Sequence, residues 1–255
     1  MMMENARNPV KAVQTALRIV DTLQRYETIG VTELADEIDV SKGTAHCHLA
    51  TLREHGYVVK VDKEKYKLGL RFMEVAHNVQ TRFDIYDNVK DEVERLASES
   101  GELALFTVEE QNQGVCLYKA AAEQAVQTKL HVGYRNDLHH TAVGKAILAF
   151  QPEAERERFL DETELEAKTE RTVTDKTALR EELEEIRETG FAYNRGETIS
   201  GLVGVGAPVR GQNGEVYGAI SVIGPTSRMD DDRLEEVAAM IHHAVNVIEI
   251  NATAL

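Results

Sequence analysis

Ser41, Lys42, Gly43, Thr44, His46 and Cys47 fall within the first turn and a half of one predicted helix, and Arg53 lies near its far end. At about 100° per residue, Ala45, Leu49 and Leu52 make an apolar stripe, while Gly43, Cys47, Ala50 and Glu54 face the other way. Thr44 and Thr51 flank one side of that outer face, His46 and Arg53 the other. The major groove of duplex DNA is only about 12 Å wide, barely a helix diameter. Small residues along the middle of the outer face let the backbone approach closely, with Lys42, Thr44, His46 and Cys47 placed to meet base edges. The Ser41 hydroxyl and the unpaired N–H groups of the first turn suit a phosphate. Downstream, Lys63, Lys65 and Lys67 alternate with Glu64, Tyr66 and Leu68. In a strand this puts the lysines on one face, where they suit phosphate oxygens. Two-helix turns also occur as plain packing units, and lysines as a solvated face. The two features together, at this spacing, point to DNA.

A second constellation lies further along. Thr141 opens the helical segment TAVGKA, and the N–H groups of Ala142, Val143 and Gly144 are placed to receive an anionic group. Gly201, Gly204 and Gly206 recur along one strand, where each missing side chain leaves room for a close neighbour, and Ser221 on the facing strand supplies a hydroxyl. For any single glycine a bulge or tight sheet packing is the better account. No catalytic or metal-binding set assembles. His139-His140 and His242-His243 are adjacent pairs whose side chains point different ways. Cys116 lies in an apolar strand and reads as core. GLVGVG lacks the strand-to-helix context of a dinucleotide loop, and Ser200 and Ser221 lack a GxSxG elbow. The expectation is therefore no catalytic residue, no metal and no cofactor.

The elements that must position these residues can be read from periodicity. Apolar residues at Val13, Ala16, Leu17, Val20 and Leu23 give a helix over 10–24. Thr32 is placed to cap a short helix, ELADEI, with Leu34, Ala35 and Ile38 inward; Asp39 tolerates the sharp turn that follows. Ser41 caps the next helix, which runs to about Glu54 with Gly56 beyond its end. YVVKV and KYKLGL, separated by DKE, read as a hairpin. Three helices and a hairpin make a winged helix. From Leu70 to Ser98 two helices join near Thr81–Asp84. After Gly101, LALFTVEE, GVCLYKAA, VQTKLHV, FAYNR, LVGVGAPVR and VYGAISVIG are strand candidates, the last two joined by an Asn213-Gly214 turn. TAVGKAILAF, TDKTALREELEEIRETG and MDDDRLEEVAAMIHHAVNVIEI are helices. This pattern predicts an antiparallel sheet carrying helices.

Composition bounds the setting. The 255 residues carry a formal charge of −15, yet residues 1–80 hold 11 basic and 11 acidic side chains, so all the excess lies in 81–255. The negative charge therefore belongs to a region that need not touch a polyanion. No apolar run reaches the ~18 residues of a membrane span, and MMMENARNPV lacks the apolar core of a signal peptide. Cys47 and Cys116, far apart and without CxxC spacing, suit a reducing cytoplasm. Low lysine, no tryptophan and excess carboxylate fit a halophilic protein, as they also fit any acidic cytosolic one.

The ordered segments AVQTALRIVDTL, TELADEIDVSKGTAHCHLATLREHGYV, YKLGLRFMEVA, LHHTAVGKAILA, GFAYNRGETISGLVGVGAPV and GAISVIGPTSRM resemble the IclR family of transcriptional regulators along nearly the whole chain. The resemblance implies an α+β chain: an N-terminal winged helix-turn-helix domain over 8–70, a linker helix over 71–83 and a C-terminal GAF-like α/β effector-binding domain over 84–255. It implies a homodimer or tetramer on palindromic double-stranded DNA operators, answering to a small-molecule effector, commonly an organic acid. It also places Thr141, Ala142, Gly144, Asn194, Gly204 and Ser221 around one effector cavity. Two departures matter. Cys47 stands where such recognition helices often carry arginine. Gly204 and Ile223 replace polar or thiol positions, and Asn194 a frequent acidic one, which implies a more apolar pocket. The rival reading is a metabolite-processing enzyme whose winged helix serves only dimerisation.

Overall fold

The computed structural model describes residues 7–61 and 64–252, which divide into two compact units meeting between residues 82 and 83 of the chain.

The first unit begins with helix α1 (Lys11–Arg25), then strand β1 (Ile29–Gly30), α2 (Val31–Glu37), α3 (Lys42–Glu54), β2 (Val58–Val61), β3 (Lys65–Leu68) and α4 (Arg71–Gln80). The strands form an antiparallel sheet in the order β1-β3-β2. Ile19, Leu23, Leu34, Ile38, Ala45, Leu49, Val58 and Tyr66 close a small core between the helices and the sheet. Asp39, at φ 50°, makes the tight turn between α2 and α3. Ser41 caps α3, accepting the Thr44 N–H at 3.0 Å. Thr32 does not cap α2. Gly30 pairs with Lys65 in the sheet and the helix begins at the next residue, so Thr32 is already inside the first turn. α1 buries Ile19, Thr22 and Leu23 and leaves Val13 and Leu17 exposed.

The second unit runs α5 (Tyr86–Ser100), β4 (Leu103–Glu110), β5 (Gln113–Ala121), β6 (Arg135–Asp137), a 3-10 turn at Leu138–His140, α6 (Ala142–Phe150), α7 (Glu153–Glu162), α8 (Lys176–Thr189), β7 (Ala192–Arg195), β8 (Leu202–Arg210), β9 (Val216–Pro225) and α9 (Asp231–Ala252). Its six strands form one antiparallel sheet in the order β6-β5-β4-β9-β8-β7. Alternation divides the faces. Ala104, Phe106, Val205, Ala207, Ile220 and Val222 pack with α5 and α9. Leu105, Cys116, Ala219 and Ile223 face the other way, with α6, α7 and α8.

Three sequence expectations change in this unit. VQTKLHV is not a strand: the edge beside β5 is taken by Arg135–Asp137, and the chain before it is a loop tied to β5 by Gly133 N–H to Cys116 O (2.8 Å) and Cys116 N–H to Tyr134 O (3.0 Å). The charged segment EAERERFLDE forms α7, unpredicted because it buries only Arg156, Phe159 and Leu160. The β8–β9 hairpin is longer than an Asn-Gly turn: Gly214 N–H bonds to Gly211 O, Gly211 N–H to Glu215 O, and of the turn pair only Gly214 is left-handed.

Candidate functional site

Helix α3 turns Ala45 and Leu49 fully inward, with Leu52 half-buried. Lys42, Gly43, Thr44, His46, Cys47 and Arg53 are all exposed. The Ser41 hydroxyl is engaged as the helix cap and lies 2.8 Å from Thr44 Oγ1. The first-turn backbone N–H groups and the exposed Lys42 ammonium are free for an anion at this end. In the wing, Tyr66 is buried while Lys65 and Lys67 point to solvent, and Lys60 is bridged to Glu64 at 3.1 Å. Lys63 lies outside the described residues.

In the second unit a cavity opens between the sheet and the α6 side, with about 870 Å³ of atom-free space, its mouth included. Thr141, Ala142, Asn194, Gly204 and Ser221 all line it. Its floor and walls are largely apolar, from Leu105, Leu130, Val143, Leu202 and Ile223. Thr141 caps α6 by accepting the Gly144 N–H at 3.0 Å, which aims the start of that helix at the cavity. Ser221 is 1% exposed and Thr107 4%; both line the cavity, and neither hydroxyl has a hydrogen-bond partner among the described residues.

The comparisons with known proteins coincide with these two sites. The family "IclR helix-turn-helix domain" matches residues 12–62, and "Bacterial transcriptional regulator IclR C-terminal" matches residues 77–250. The chain belongs to the IclR family. It is 34% identical over 245 residues to the probable HTH-type transcriptional regulator ArcR of Halobacterium salinarum, covering 94% of this chain and 93% of that one. It superposes on the crystal structure of the Thermotoga maritima IclR with a TM-score of 0.86 at 28% identity, covering 95% of this chain and 99% of that one. An IclR homologue from Microbacterium hydrocarbonoxydans, crystallised with 4-hydroxybenzoate, shares the fold at a TM-score of 0.84 and 22% identity, covering 96% of this chain and all (100%) of that one. The chain is thus a DNA-binding transcriptional regulator and not an enzyme, and the rival enzymatic reading falls.

Within this IclR-family site Gly144 is a correction. It does not line the cavity; a side chain there would strike the Leu138 carbonyl at 2.1 Å, so it lets α6 pack on the 3-10 turn. Gly206 does the same on the sheet, where a Cβ would meet Ser221 Cβ at 3.1 Å and the Ala142 backbone at 3.3 Å. Gly201 is likewise not part of the lining. Cys116 is buried as core but also reaches the cavity, and burial pushes its thiol up to about 11, so it stays protonated and unreactive near neutrality.

Several residues escaped the sequence reading. Thr107, Asn136, Thr198 and Lys129 line the cavity. A lone threonine in LALFTVEE at the phase of Leu105 is the one available signal for Thr107. Beneath the cavity, Lys145 is fully buried between Glu197 (2.8 Å) and Glu182 (2.6 Å), and burial raises the Glu197 carboxyl. Asn194 donates to His140 O (2.9 Å) and Thr198 Oγ1 (2.7 Å), and its own oxygen accepts the Glu197 N–H at 2.8 Å. Asn194 therefore joins the 194–199 segment to the turn that precedes α6. The His139 and His140 rings are both buried, edge to face, and no group of three or more potential metal ligands occurs among the described residues.

Proposed function

We propose that the chain is a cytoplasmic repressor of metabolic genes, released from palindromic operators by a small organic acid, and that it acts as a homodimer or tetramer. The division of labour is 8–70 for DNA, 71–83 as linker and 84–255 for effector and assembly. Ser41, Lys42, Gly43, Thr44, His46, Cys47, Arg53, Lys63 and Lys65 meet DNA. Thr141, Ala142, Asn194, Gly204 and Ser221 meet effector, with Gly144 shaping the helix that presents them. The single observation behind the effector reading is the cavity lining: no aspartate or glutamate lines it among the described residues, in a unit that carries the whole excess of carboxylate. The free N–H groups opening α6 supply positive potential there. The Microbacterium homologue was itself crystallised with a small acid.

Ligand would act by changing the separation of paired recognition helices, to which half-sites about 34 Å apart are sensitive. The high acidity and the Halobacterium relative favour a salt-rich host. The test is a mobility-shift titration on the chain's own upstream DNA, with and without small carboxylates. A shift relieved by one acid is expected. Absence of a shift at every salt concentration refutes operator binding there, and a shift indifferent to all acids refutes the effector class.

A further inference from the structure

Among the described residues, one cation belongs to the cavity lining without a partner. Lys129, itself exposed to solvent, borders the cavity from the loop between β5 and β6, is the only charged residue of that lining, and makes no hydrogen bond or ion pair with another described residue. The lysines around it differ: Lys119 donates to Leu130 O (2.6 Å), Lys145 binds Glu197 and Glu182, and Lys168 binds Asp137 (3.2 Å). The carboxylates next in chain to the lining, Asp137 beside Asn136 and Glu197 beside Thr198, are thereby occupied. The Lys129 charge is left uncancelled within the lining.

Its position is set by the sheet. Lys119 pairs with Leu105, Leu105 with Ser221, and Ser221 with Gly206, so these four stand in one row on the cavity face across β5, β4, β9 and β8. At the β5 end, Lys119 holds the carbonyl of Leu130 and Thr128 Oγ1 accepts the Leu130 N–H (3.3 Å), which fixes the backbone around Lys129. At the other end, Ser221 and Gly206 lie against Ala142, the first residue of α6. The ends are two to three strand spacings apart, on the order of 10–14 Å. Between them the floor is Leu105 and Ile223, with Leu130 and Val143 above.

We propose that Lys129 is a second anion subsite, so that the effector is a diacid: one acidic group at the α6 N-terminus beside the unpartnered Ser221 hydroxyl, the other at the Lys129 ammonium, joined by an apolar body. This rests on the effector reading of the cavity and adds to it a second charge and a length. A monoacid satisfies one end and leaves the ammonium with water.

The test uses the full-length chain in low-chloride buffer, titrated calorimetrically with the diacids succinate through suberate and with monoacids of matching length. Wild type should bind its best diacid at least tenfold more tightly than the matching monoacid. Lys129→Ala should remove that preference while leaving monoacid affinity within about twofold, and Lys129→Arg should retain it. Ser221→Ala should weaken mono- and diacid alike. Monoacid binding without a diacid preference, or an unchanged preference in Lys129→Ala, overturns the second subsite and spares the effector cavity. No binding by either series overturns both. Upstream-DNA binding without ligand, measured in parallel, reports the regulator reading independently.

Discussion

At the scale of single residues, the DNA-reading surface separates side chains that identify bases from side chains that hold the backbone. Lys65 projects from the wing strand opposite buried Tyr66, so in the DNA contact proposed above it is suited to a phosphate. Lys65→Ala should weaken binding to specific and unrelated DNA alike, and lower the salt slope by about 0.9 for each phosphate the side chain no longer neutralises. His46 is exposed near the start of α3. His46→Ala should instead erase discrimination between operator and mismatched sites, by roughly 1–3 kcal/mol at the base it reads, with the salt slope unchanged. Mobility shifts at several salt concentrations separate the two outcomes. His140 gives a different residue-scale prediction. Burial holds its imidazole down at about 4 from the ordinary 6.5. The unfolded chain therefore takes up this proton at a pH where the folded one does not. The stability is complete above 6.5 and drains away as pH falls toward 4, by roughly 3 kcal/mol. His140→Gln should flatten the fall in urea-unfolding free energy between pH ~7 and ~4.5. Glu197, whose carboxyl is raised by burial, works in the opposite sense in both proteins and cancels in the difference.

At the scale of elements, two helices of the DNA-reading unit are less buried than their patterns demand. Val13 and Leu17 on α1 are 56% and 58% exposed; Met73 and Val79 on α4 are 69% and 47% exposed. Such stripes on one small unit are suited to cover by another chain. With dimerisation proposed above, Leu17→Glu or Met73→Glu should shift the protein toward monomer in sedimentation equilibrium without loss of helical circular dichroism. Unchanged mass would remove these helices from the interface. Within the sensor, α6 is the element on which the cavity depends. It rests on the sheet at Gly206 and on the 3-10 turn at Gly144; the approach at Gly144 is closer than a side chain allows, and at Gly206 a side chain would have to push its neighbours back by a few tenths of an ångström.

At the scale of the molecule, charge is partitioned. Residues 1–80 are neutral and the rest holds the full −15. Carboxylates crowding one folded unit repel one another, and salt within a Debye length, about 10 Å at 0.1 M and about 3 Å at 1 M, screens them. The melting temperature should accordingly rise between ~0.1 and ~2 M KCl, while operator affinity falls over the same range because phosphate contacts release counterions. A scanning calorimetry series paired with binding isotherms measures both. A melting temperature that drops with KCl would refute the halophilic reading.

Helix and strand periodicity, the capping serine at Ser41, the left-handed Asp39 and the alternating lysines were legible because each is decided within a few neighbouring residues. The same local logic picked out Thr141, Gly204 and Ser221, which stand in motifs with their own signature. It failed where the deciding contact comes from another element of the fold. Whether VQTKLHV becomes a strand depends on which segment takes the edge of β5, and Arg135–Asp137 takes it. Gly144 looked like a ligand contact and is a packing contact, because Leu138 presses on it. Nothing in the sequence distinguishes the surroundings of the Lys129 side chain from those of Lys145. Only the tertiary fold buries one between two glutamates and leaves the other without a partner among the described residues beside a cavity. The physical reason is that a backbone conformation is chosen by nearest neighbours, whereas the electrostatic surroundings of a side chain are chosen by everything the fold brings within a few ångströms of it.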